Sequence, residues 1–230
     1  MTLMKLKKTC AALFLGTLGT LGTLGTLGTL GALAAQGAGA TTVSFDVNPF
    51  TGSTALATPG RQVFAGLQRT LGSFDVNNDV FAFNIDAFGL GTGLTFANAL
   101  ASALPTGGTD VIVLQDGDND GNPSTVFGAG TAANLIADAL STDGDGFFMY
   151  FNSALNVNRL VYSTNLNDIT ADLSILARIN SPTGQAAIDA LPTFRAENFA
   201  AVPEPSSYAL VLAALMGVAV VSRRQKKIAA

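Results

Sequence analysis

The residues best placed to do chemistry form one run, Asp116-Gly117-Asp118-Asn119-Asp120-Gly121-Asn122. Carboxylates at positions 1, 3 and 5 with glycine at 6 open an EF-hand-type calcium loop, because that spacing lets three side chains converge on one hard cation and glycine permits the sharp turn. Asn122 at position 7 can offer a carbonyl, and Ser124 stands at position 9. Position 12 is Phe127, where a calcium loop has a bidentate glutamate, and a strand-like run precedes the loop while Pro123 lies within it. Two readings stay open. One is a calcium-bound turn with Asp116, Asp118, Asp120 and Asn122 as ligands and Asp143-Gly144-Asp145 completing the shell. The other is a polar loop held by Asx turns, in which Asp and Asn side chains bond their own backbone.

Other candidates are weaker. Asp75-Val76-Asn77-Asn78-Asp79 has the same spacing of polar side chains but Val80 in place of glycine, so a turn between strands accounts for it. Gly89-Leu90-Gly91-Thr92-Gly93 lacks the lysine and the full spacing of a nucleotide loop. Tyr150 and Tyr162 could flank a sugar-binding surface, but sheet or core positions explain them equally. The chain has no His and no Trp, which excludes a Ser-His-Asp triad and histidine metal ligands. A single Cys excludes an internal disulfide and a cysteine zinc site. There is no Gly-x-Ser-x-Gly nucleophile elbow. What remains for catalysis is pairs of aspartates, which could support glycoside hydrolysis.

Elements must position these groups. Thr42–Val47 alternates, with Val43, Phe45 and Val47 on one side, and Asp79–Ile85 alternates with Phe81, Phe83 and Ile85 together. Val111–Leu114 suits a buried strand. Phe147–Phe151 and Leu160–Tyr162 read as a strand pair joined by an Asn-rich connection. Thr95–Leu104 and Thr131–Leu140 are rich in Ala and Leu and read as helices stopped by Pro105 and by Asp143-Gly144. Thr183–Leu191 is a third helix candidate, and Thr170–Ile179 fits helix or strand. The expected fold is mainly β, sandwich-like, with two or three short helices and a Phe-rich core.

Charge divides the chain. Residues 41–202 hold 15 acids against five Arg and no Lys, a net charge of −10, whereas residues 1–40 and 203–230 each carry +3. A polyanionic body disfavours nucleic acid, whose affinity comes from neutralising phosphates. Lys5, Lys7 and Lys8 precede an apolar stretch from Cys10 to about Ala35 that contains the tripeptide repeat Gly-Thr-Leu over Gly16–Leu30. Ala38-Gly39-Ala40 matches a small-x-small cleavage pattern, with Ala32-x-Ala34 as a weaker competitor. These are the parts of a secretory signal peptide, which predicts passage through the Sec export machinery and cleavage after Ala40. Cys10 would be lost with it.

At the other end Val202-Pro203-Glu204-Pro205 is followed by an apolar run, Tyr208–Val221, and by Arg223-Arg224-Gln225-Lys226-Lys227. The run is at the lower edge of what spans a bilayer. The basic cluster would stay cytoplasmic and the body would face outward. The order of these three parts resembles the PEP-CTERM sorting signal of Gram-negative bacteria. The resemblance implies an exosortase substrate, processed near Pro203, Glu204 and Pro205 and delivered to the cell surface or the exopolysaccharide matrix. The stretch from Val111 through Tyr162 also resembles bodies of uncharacterised PEP-CTERM proteins, a likeness that implies no particular chemistry. The expected organisation is a signal peptide over 1–40, an exported mainly-β domain over 41–201, and a sorting signal with a short transmembrane helix over 202–227. The expected function is a non-enzymatic surface or biofilm-matrix protein, associating with exopolysaccharide or other matrix proteins. The alternative is a secreted polysaccharide-acting hydrolase that uses aspartate pairs.

Overall fold

The computed structural model describes residues 39–52, 60–66, 68–91, 93–120, 122 and 124–202. Most of the expected signal peptide, including Ala38, and the sorting segment from Pro203 onward lie outside the described residues. Ten strands and two α-helices occur among those described. A small sheet holds β1 (Thr42–Phe45), β4 (Val80–Asn84) and β10 (Phe199–Val202), in the order β1-β4-β10 with both pairings parallel. A larger sheet runs β2 (Val63–Phe64), β9 (Leu173–Ile179), β8 (Val157–Ser163), β7 (Gly146–Asn152), β6 (Val111–Leu114) and β5 (Phe96–Ala99), and β3 (Arg69–Leu71) also pairs with β9. Here β5, β6 and β7 are parallel, whereas β7, β8 and β9 are antiparallel neighbours.

Two apolar layers hold these elements. Between the sheets, Phe45, Phe81 and Phe83 meet Phe147, Met149, Leu160 and Tyr162, joined by Phe74, Phe88, Phe194 and Phe199. The rings stack closely, with Phe83 and Phe147 at 3.9 Å and Phe74 and Phe81 at 4.3 Å between centroids. On the far face of the larger sheet, Ile112, Leu114, Phe148, Tyr150, Val161 and Ile175 pack against helix α1 (Ala129–Ala139). Its buried residues, Ala129, Ala132, Ala133, Ile136 and Ala137, repeat at the spacing of one helical face. Their small side chains let the helix lie close to the sheet. Because β6 and β7 are covered on both faces, their sequences are continuously apolar and not alternating.

The mainly-β, two-sheet reading agrees with this architecture, and α1 and α2 (Gln185–Ala190) fall on two of the three predicted helices. The ambiguous Thr170–Ile179 stretch contains β9. Thr95–Leu104 is corrected: it is strand β5 followed by a 3-10 turn at Ala101–Ala103. The reason is tertiary. Asn98 Nδ2 donates to Leu191 O at 2.9 Å and Phe194 O at 3.0 Å, while its Oδ1 accepts Gln115 Nε2 at 2.9 Å. These bonds and the pairing with β6 outweigh the modest helix preference of an Ala-rich run.

Candidate functional site

The aspartate-rich loop leaves the end of β6, and its carboxylates are turned to separate tasks. Asp116 Oδ2 accepts the Ala101 N–H at 2.6 Å and fixes the turn after β5. Asp118 Oδ2 accepts Ser153 Oγ at 2.9 Å, and Ser153 Oγ in turn accepts the Phe127 N–H at 2.9 Å. Asp120 stays within the loop: Oδ1 accepts the Asn122 N–H at 2.8 Å and Oδ2 accepts Thr125 Oγ1 at 2.5 Å. Those two bonds hold its carboxyl below the usual range, the Thr125 hydroxyl first and the Asn122 N–H second. Asn122 Oδ1 accepts the Ser124 N–H at 3.0 Å, the Asx pattern. Among the described residues no three acidic, His or Cys side chains are gathered so as to hold a metal ion. As placed, the predicted calcium ligands Asp116 and Asp118 accept from Ala101 and Ser153 outside the loop, whereas Asp120 and Asn122 accept within it.

Asp143 and Asp145, expected to complete the shell, stand beside Asp110 at the other end of β6. They precede β7, beside Asp110 at the start of β6, whereas Asp116 follows the end of β6. The four residues of that strand separate the two groups by about 10 Å or more. Asp143 Oδ1 accepts the Asn165 and Asn167 side-chain amides at 3.2 and 3.1 Å. Asp145 Oδ2 accepts the Tyr162 hydroxyl at 2.7 Å, and that hydroxyl oxygen accepts Asn48 Nδ2 at 3.1 Å. Burial pushes the Asp145 carboxyl up, and the Tyr162 bond opposes it. Burial also drives the Tyr162 phenol well above its usual range, with the Asp145 carboxylate adding to the effect. Asp110, Asp143 and Asp145 line a cleft of about 60 Å³, with Thr109 and Thr142. That is room for a few waters, far below the several hundred Å³ of a typical ligand pocket. Tyr150 and Tyr162 are both fully buried, on opposite faces of the larger sheet, and make no sugar platform.

The Asp75–Asp79 run is a turn, as its lack of glycine suggested. Asp75 Oδ1 accepts the Asn77 N–H at 3.0 Å and Oδ2 accepts Asn78 Nδ2 at 2.7 Å, which keeps the Asp75 carboxyl low. Asp79, by contrast, is buried and serves β1: its Oδ1 accepts the Thr41 N–H at 2.7 Å. Sequence reasoning did not single out Thr41 and Asp79 as a pair, since they stand 38 positions apart. Ala40, the predicted last residue of the signal, is half-buried just before β1.

At the opposite end of the body, β10 was not foreseen as a strand. Its four residues pair in register with β4, from Phe199 opposite Phe81 to Val202 opposite Asn84, and Val202 O accepts the Ile85 N–H at 3.2 Å. The available signal was the apolar run Phe199–Val202 ending at Pro203, a residue that cannot donate to a ladder. Val202 is thus both the last described residue of the folded body and the first of the predicted sorting motif; Pro203, Glu204 and Pro205 lie outside the described residues. No helix among the described residues is long and apolar enough to cross a membrane, and the expected span Tyr208–Val221 is outside them. No curated protein and no solved structure matches the chain. Residues 201–227 do match a family, which accounts for the Pro-Glu-Pro, apolar and basic parts in one stretch. It implies an exosortase as processing partner and an exported, membrane-anchored precursor. The chain carries a PEP-CTERM protein-sorting motif whose first residues are the last of strand β10.

Proposed function

We propose that this chain is an exported surface or matrix protein, with a folded body that is delivered by processing at its sorting motif and acts by association, without catalysis. The observation that carries the reading is the junction at Val202. The motif begins on the last residues of a paired strand, so cutting beyond Val202 would leave every described element of the body intact. Exopolysaccharide or other matrix proteins are the proposed partners. The absence of catalysis is supported by the occupation of the aspartates. Asp116, Asp118, Asp120, Asp143 and Asp145 each hold a neighbouring backbone or side-chain group. The Asp110–Asp143–Asp145 cleft is too small for a sugar ring.

The test is to replace Pro203, Glu204 and Pro205 together by Ala in the full chain and follow its fractionation. The proposal expects the parent chain in the surface or matrix fraction and the variant retained in the membrane fraction with its C-terminal segment. Equal release of both proteins overturns it.

A further inference from the structure

The amide nitrogen of Thr41 lies 2.7 Å from Asp79 Oδ1. Asp79 is 8% exposed, and its second oxygen accepts the Asp75 N–H at 2.8 Å. Among the described residues its carboxylate has no ion-pair partner; two backbone N–H groups are all that meet it. Its Oδ1 is in place to accept a positive charge carried on the Thr41 nitrogen, since a charged donor at this distance makes the stronger bond. The position of Thr41 is fixed from both sides. Its carbonyl accepts the Val80 N–H at 2.9 Å, and β1 begins at the next residue. The backbone of Asp79 is held too: its carbonyl accepts Asn198 Nδ2 at 3.0 Å, and its N–H donates to Asp75 O at 2.7 Å.

We infer that Asp79 is a receptor for the new amino terminus made by signal-peptide removal: the α-ammonium of Thr41 pairs with its carboxylate and locks β1 onto β4. This rests on cleavage after Ala40. Hydrolysis breaks the Ala40 C–Thr41 N bond. Water adds its oxygen to the Ala40 carbon, which leaves as a carboxylate, and its two hydrogens go to the Thr41 nitrogen, giving –NH3+. A neutral N–H donor 2.7 Å from a carboxylate becomes a cation at the same place, and a charge-assisted bond is roughly twice as strong as a neutral one. The precursor has the hydrogen bond without the charge; the mature protein has both. Signal removal thereby turns one neutral partner of a buried acid into a charged one, next to the edge strand of the small sheet. The other charged groups around this corner are Asp75 in the same turn, Arg69 over the Phe45 ring of β1, and Arg195 and Glu197 in the 3-10 turn that carries Asn198.

The absence of Lys from residues 41–202 gives a clean readout, because the Thr41 α-amine is then the sole primary amine in the mature body. The full chain is exported, the processed protein is recovered, and its amine is acetylated over a range of pH, folded and in denaturant. The peptide Thr41–Arg61 reports both the terminus and the extent of reaction. The inference expects a peptide beginning at Thr41. In the folded protein its amine should titrate at least about one unit above the unfolded value, which is near 8 for an α-amine. Asp79→Asn should abolish the difference, and if that variant fails to fold, a chain retaining Ala40 as an added first residue should abolish it instead. A first residue other than Thr41 overturns the cleavage site and the pairing with it. A Thr41 amine that titrates alike in folded and unfolded protein overturns the pairing alone.

Discussion

Asp116 and Asp118 show how residues with cation-binding spacing can be used as structural acceptors. Asp116 holds the Ala101 N–H and Asp118 the Ser153 hydroxyl, so each joins the loop after β6 to a different neighbour. Replacing Asp116 by Ala leaves the Ala101 N–H without its acceptor, at a cost of about 1–2 kcal/mol. Thermal melting of Asp116→Ala and Asp118→Ala should show the same loss in calcium and in chelator. A loss confined to calcium-containing buffer would favour the cation reading. Asp145 gives a pH signature of opposite sign to an ordinary ion-paired acid. Its folded pKa is raised above the reference of 3.8, chiefly by burial, with the Tyr162 bond opposing. The folded state therefore binds the Asp145 proton more tightly than the unfolded state. The destabilising contribution is absent well below 3.8 and develops as pH rises from there through the folded value. In Asp145→Asn that component should vanish from the stability–pH curve measured by urea unfolding; an unchanged slope would show that Asp145 is not its source.

At the scale of elements, the small sheet depends on its two edges, β1 and β10, both paired with β4. Phe199 anchors β10 among Phe81, Phe96 and Phe194, with ring centroids at 5.9, 5.5 and 6.2 Å. Phe199→Ala should cost about 3 kcal/mol in urea unfolding, the scale for truncating a buried ring. A loss under about 1 kcal/mol would mean that β10 is not part of the cooperative body. β1, β4, β6, β7 and β8 were legible because alternation or a continuous apolar run marks them locally. Helix α1 was legible for the same reason, since its Ala and Ile residues repeat on one face. β5 was not, because Ala-rich composition favours helix and what holds it extended is Asn98, bonded to carbonyls more than 90 residues away. β2, β3 and β10 are short, and their order depends on partners distant in sequence. The Thr41–Asp79 contact was hidden for that reason too. The aspartate spacing was visible in the sequence, but where each carboxylate points depends on Ala101 and Ser153, which the fold brings in from β5 and from the β7–β8 turn.

At the scale of the whole molecule, the described body lies between the proposed signal cleavage before Thr41 and the sorting motif that starts at residue 201. Thr41 lies directly before β1, and Val202 closes β10. Both strands flank β4 in the same parallel sheet, so the first and last elements are stitched to one central strand. A protein trimmed at both ends would keep every described strand and helix. Its charge would also change: removing 1–40 and 203–230 strips +3 from each side and leaves a body of −10 without a single Lys. That charge favours a soluble particle that avoids nucleic acid and other polyanions except through local contacts. Processing at the sorting motif decides whether the body reaches its destination in this form. The most direct test is the intact mass of the protein recovered from the cell surface and medium. The account predicts a chain that begins at Thr41 and lacks the apolar run Tyr208–Val221, having been cut beyond Val202. A recovered mass that still includes residues 208–230 would contradict it.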